Sequence, residues 1–202
     1  MPEGTAVLTL VLAALAIMGS PGPSTISLTA VAASFGARRV VPYLIGLILG
    51  TVAVLLIVAT GITTALLSLP LLSPVLIGAS LVYIAYLAFR IATAPPLGEP
   101  ATSAAAPSLA GGIALGVANP KAYVAIGAVF AANRLATDPM GDAVAKLVIL
   151  AGMIAVIHLV WLAAGALIAG SLRDPVTSRI VNVTLKVALV AFSALALLPH
   201  GT

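Results

Sequence analysis

A chain of 202 residues that is 62% hydrophobic and only 7% charged cannot cover a core with water-facing surface. A soluble domain carries about 25% charged residues, so the solvent is lipid, with room for one membrane domain and no sizeable aqueous one. The formal charge of +4 comes from basic residues scattered between apolar runs, which excludes a nucleic-acid partner. Without cysteine there are no disulfides, thiolate sites or thiol redox chemistry. Two histidines, with no acid inside any apolar run, argue against a metal site or a resident cofactor.

A helical span needs about 20 largely apolar residues. Six such segments follow one another, at 6–34, 40–67, 74–94, 109–132, 143–170 and 180–198. They lack period-2 alternation and are rich in Ala and Leu, which predicts an all-α integral membrane fold rather than strands. The opening segment has no basic n-region, carries Glu3 and continues past a Pro-Gly-Pro break. It is expected to be a first span kept in the mature protein, not a signal peptide.

That first span is interrupted at Ser20-Pro21-Gly22-Pro23-Ser24-Thr25. Each proline removes a backbone donor and frees a carbonyl one turn earlier. Such a break at membrane depth is tolerated only where it is buried or lines a wet cavity. Freed carbonyls, and the N–H groups opening the next half-helix, are therefore candidate ligand groups. The competing reading is a pair of kinks that only shape packing. In the second span Gly46 and Gly50 form a GxxxG, suited to close helix packing or to a homodimer contact. Pro70 and Pro74 turn the chain into the third span, which carries Tyr83 and Tyr86. Residues 95–108 are a Pro/Ala/Ser linker.

The fourth span repeats the break at Asn119-Pro120-Lys121. A lysine at mid-span costs about 2.5–3.5 kcal/mol on insertion scales. No Asp or Glu in any span can pair with it, so its partners are carbonyls, Asn119, hydroxyls, water or a substrate carboxylate. Snorkelling is a weak alternative, because the side chain reaches about 6 Å and mid-span lies about 15 Å from either face. His158, near the centre of the fifth span with Trp161 at i+3, is a candidate for proton coupling, against a hydrogen-bonded packing histidine. Asn182 and Lys186 in the sixth span form a candidate second polar site, although Lys186 lies close enough to an end to snorkel.

With both termini outside, the cytoplasmic loops hold Arg38, Arg39, Arg90, Arg173 and Arg179, against Arg134 and Lys146 in the outer loops. That bias predicts the orientation. Gly116 to Pro120 lies on Gly19 to Pro23 at an offset of 97 at both ends, 116 − 19 and 120 − 23. Three spans per half is an odd number, so the halves insert with opposite orientation. The expected organisation is a first three-helix repeat over 1–94, a linker over 95–108 and a second, inverted repeat over 109–202, with helices one and four broken. The substrate is then expected between the breaks, on Ser20, Pro21, Gly22, Pro23, Ser24, Thr25, Asn119, Pro120 and Lys121.

These motifs resemble a known family, the LysE/RhtB-type amino-acid exporters of the LysE superfamily. Pro21-Gly22-Pro23 looks like its first hallmark and Asn119-Pro120-Lys121 like its second. Phe35-Gly36-Ala37-Arg38, followed by Gly46 and Gly50, and Tyr83 through Arg90 are similar to its first loop and third span. The chain departs from the pattern at Ser80 and Ala88, where the family usually has glycine, and at Thr51, where exporters of basic amino acids tend to carry an acid. The resemblance implies a secondary transporter that exports amino acids or similar small zwitterionic metabolites across the cytoplasmic (inner) membrane of a prokaryote. It also implies coupling to a gradient of a proton or sodium ion. The alternatives are a channel or a structural subunit of another membrane complex. An intramembrane enzyme would need paired acids or a Ser/His/acid set, which the spans lack.

Overall fold

A computed structural model describes residues 3–61, 71–92, 106–132 and 134–171. The central linker up to residue 105 and the predicted sixth span, with Asn182 and Lys186, lie outside the described residues. Within them the chain is helical, with no strand. Helix α1 (Glu3–Ala13) runs into a π-helical turn (Ala14–Met18); α2 is Pro23–Phe35, α3 Ala37–Ala59, α4 Leu72–Ala92, α5 Leu109–Ala118, α6 Pro120–Ala132 and α7 Pro139–Ser171. Helix α3 and residues Pro139–Ile168 of α7 are each long and apolar enough to cross a bilayer. The pairs α1–α2 and α5–α6 qualify when each is taken as one bent unit, with bends of 67° and 61°; the apolar stretch of α4, Pro74–Phe89, is shorter. The chain is thus a multi-pass helical membrane protein.

Local chemistry sets the boundaries. Gly36 alone, at φ 81°, separates α2 from α3, and Gly61, at φ 74°, follows the end of α3; residue 67, the predicted end of the second span, lies outside the described residues. Helix α7 starts four residues earlier than expected because Asp138 caps it, its Oδ2 accepting from Gly141 N at 2.7 Å, with Pro139 in the first turn, where the missing N–H costs nothing. Lys146, expected in an outer loop, is buried in α7 instead. It pairs with Asp142 at 2.7 Å and lies 5.0 Å from the centre of the Phe130 ring. Asp142 in turn accepts from Leu135 N and Ala136 N, so one carboxylate holds the connection to the helix.

The buried residues fall into two apolar clusters. One gathers Leu28, Phe35, Tyr43, Leu47, Leu87 and Leu115; the other gathers Leu10, Val54, Leu55, Ile126, Leu150 and Ile154. Every helical unit passes from one cluster to the other, and successive units pass in opposite directions. Where each crosses, it carries polar or broken backbone: 19–22 between α1 and α2, Thr51 in α3, Ser80 in α4, Asn119 between α5 and α6, and His158 in α7. A polar layer therefore lies between two apolar ones. The outer surface is itself apolar, with Leu8, Val82, Val148 and Leu167 exposed, as a lipid-facing surface requires.

Helices α3 and α5 make the most extensive contact. Gly46 and Gly50 meet a second pair, Gly112 and Gly116. A Cβ on Gly50 would lie 2.6 Å from Ile113 O and 3.0 Å from Gly116 Cα; one on Gly116 would lie 2.9 Å from Gly50 Cα. Of the two roles open to Gly46 and Gly50, the structure uses them inside the chain, where bare glycines let two backbones touch.

Candidate functional site

Pro21 and Pro23 cannot donate to the carbonyls one turn before them, and the chain answers each freed group with a side chain. The Ser20 hydroxyl donates back to Ile17 O at 2.8 Å. Trp161 Nε1, from α7, donates to Gly19 O at 3.1 Å. The Lys121 ammonium, from α6, donates to Ser20 O, to Ser20 Oγ at 2.8 Å and to Pro21 O at 3.1 Å. Thr25 closes the first turn of α2, accepting from Gly22 N at 2.9 Å. The π turn is part of the same device: Gly19 N reaches Ala14 O, one residue further back than in an α-helix.

The second break follows the same logic. Pro120 forces Asn119 into an extended conformation, which ends α5. Asn119 Oδ1 then accepts from Lys121 N at 3.2 Å and caps α6, while its Nδ2 donates to Ser24 Oγ at 2.9 Å. Ala118 O is taken by the Ser80 hydroxyl of α4 at 2.6 Å. The two breaks are thus tied directly, by Asn119 to Ser24 and by Lys121 to Ser20 and Pro21. Gly22 makes room for this: a Cβ there would come within 2.6 Å of Lys121 Cδ.

A cavity of about 40 Å³ opens beside these ties. Gly22, Ser24, Thr25, Asn119, Lys121 and His158 line it, as does Thr51. Ser20, Pro21, Pro23 and Pro120 are not on its wall; they shape the breaks and hold Lys121. The expectation that freed carbonyls stand open to a ligand is corrected here. Those of Ile17, Gly19, Ser20, Pro21 and Ala118 already have protein donors. The open polar groups are side chains. Among the described residues, Thr51 Oγ1 and His158 Nε2 are buried without a hydrogen-bond partner.

Residues 15–199 match the family model described as LysE type translocator. The chain belongs to this family. Curated proteins and solved structures give no match. The LysE type translocators are transporters, not enzymes, and the matched region begins in the π turn and takes in both breaks and the whole cavity wall. In this translocator the sequence signals found the lysine and both breaks, but they gave no cavity role to Thr51 and overlooked Ser80 and Trp161 as partners of freed carbonyls. A hydroxyl directly after Gly50, on the glycine-spaced stretch of the span, was the available signal for Thr51.

Proposed function

We propose that this translocator is a secondary transporter that exports amino acids or similar small zwitterionic metabolites across a prokaryotic cytoplasmic membrane, binding them between the two broken helices. One observation carries the reading: a lysine ammonium at the junction of both breaks, on the wall of a cavity whose described lining contains no carboxylate. A substrate carboxylate exchanges with the Ser20 and Pro21 carbonyls as the partner of that ammonium. The six spans form two inverted three-helix repeats, over 1–94 and 109–202. The near-equal bends of 67° and 61°, the offset of 97 and the alternating passage between the apolar clusters support this. Export is coupled to a proton or sodium gradient.

With no carboxylate in the described lining, nothing balances a cationic side chain in a low-dielectric site. Reconstituted protein is expected to exchange labelled neutral amino acids, with saturation and dependence on an imposed gradient, and to discriminate against arginine. Preferential arginine exchange would overturn the zwitterion reading; non-saturable flux with no accumulation against a gradient would favour a channel. Orientation has its own test. Cysteines introduced at Ala37 and Thr177 are expected to label from the cytoplasmic side alone, and labelling of both from outside would reverse the assigned topology.

A further inference from the structure

The wall of the cavity holds two buried polar atoms whose hydrogen-bonding capacity is unused. His158 is 4% exposed and Thr51 6%. His158 Nδ1 lies 2.8 Å from Ile154 O. A carbonyl oxygen can only accept, so Nδ1 carries the ring proton and the neutral imidazole keeps its lone pair on Nε2. That nitrogen has no partner among the described residues, nor has Thr51 Oγ1, and both residues line the cavity that Lys121 enters. A buried polar group left unpaired costs about 1–3 kcal/mol, and two on one wall are poorly explained by packing.

We propose that His158 Nε2 and Thr51 Oγ1 form a second pole of the cavity, which accepts hydrogen bonds from the ligand's ammonium group, so that ligand and proton compete for one lone pair. The proposal rests on the reading that the cavity holds a zwitterion, whose carboxylate goes to Lys121. Of the groups facing His158 across the cavity, α1 with its π turn and α2 bring Met18, Ser24 and Thr25; α3 brings Thr51; α5 and α6 bring Asn119 and Lys121. Lys121 is the one other titratable group among them, and it is a cation held at the breaks. No described carboxylate is there to keep an imidazolium and an ammonium together. When His158 takes a proton on Nε2, the lone pair is gone and a second positive charge faces the ligand's first. Binding of the ammonium therefore requires loss of that proton to water, one proton per ligand. Alternating exposure of such a site exchanges one for the other, and the linkage is reciprocal.

The test uses the full chain in nanodiscs, with a labelled equimolar mixture of the protein amino acids as probe and binding read across a pH series. The wild type is expected to lose about tenfold in affinity per pH unit below the His158 titration and to release one proton per ligand bound. His158→Gln supplies an acceptor oxygen that does not titrate. It is expected to bind within a few-fold of the wild type, with a flat pH profile and no proton release. Thr51→Val, nearly the same shape, is expected to weaken binding about tenfold at every pH while leaving the slope intact. If His158→Gln keeps the wild-type slope, or if wild-type binding is itself independent of pH, the competing pole is overturned while the zwitterion site stands. If the wild type binds no labelled amino acid at any pH, the site reading fails first and the pole falls with it.

Discussion

Gly50→Leu is expected to abolish the folded protein, whereas Gly152→Leu leaves it intact. Both glycines lie in long apolar helices, and both substitutions raise helix propensity and hydrophobicity. They differ in what the new side chain meets. At Gly152 a Cβ has nothing within 4 Å; at Gly50 it would stand 2.6 Å from Ile113 O and 3.1 Å from Ile113 Cα. Those are backbone atoms of α5, which cannot turn aside as a flexible side chain can. Overpacking a core costs about 1–3 kcal/mol where side chains can give way, and here the helices themselves must part. Separation of α3 from α5 also pulls Asn119 and Lys121 away from the first break, because α5 leads directly into the second. The expected readout is loss of the monodisperse peak in size-exclusion chromatography for Gly50→Leu, with a wild-type peak and melting temperature for Gly152→Leu. If both variants melt like the wild type, the glycine seam does not hold the two helices in contact.

Much of this architecture was legible in the sequence because lipid imposes few solutions. Apolar runs of fixed length must be helices, and a proline pair inside one must break it. The breaks were read within a residue or two for that reason. What the sequence could not give was the destination of each freed carbonyl. Trp161, Ser80 and Lys121 come from helices 38 to 142 residues away from the groups they satisfy, and no periodicity encodes that pairing. Backbone that looked open to a ligand is closed by these side chains, and the open polar atoms belong to Thr51 and His158 instead. The second glycine pair was equally visible as letters. Gly112 and Gly116 acquire meaning only when α5 lies against α3 and their bare backbones meet Gly46 and Gly50.

Lys121→Met is expected to lose transport, to about one hundredth of the wild-type rate or below, while the protein still reaches the membrane in normal amount. The charge is costly to insert, at about 2.5–3.5 kcal/mol, and methionine removes that cost at similar length. Against this, Ser20 and Pro21 lose the donor to their carbonyls. Each unpaired carbonyl would cost about 1–3 kcal/mol if dry. The cavity beside them admits water, which can take over both bonds, so the balance for folding lies near zero. Function has no such substitute. Water cannot supply the charge that answers a carboxylate, and a charge-assisted hydrogen bond of about 1.5–3 kcal/mol corresponds to roughly ten- to a hundredfold in affinity. The same ammonium ties the two broken helices together, so its loss also loosens the junction of the two breaks. Lys121→Arg is expected to rescue poorly. Its planar guanidinium is larger than an ammonium and must pass Gly22, whose Cα already lies so close to the lysine stem that even a methyl group would collide with it. Export from proteoliposomes, normalised to protein content, reads the effect directly. Wild-type transport by Lys121→Met would make the lysine a structural clamp alone and move the carboxylate to the N–H groups that open α2 or α6.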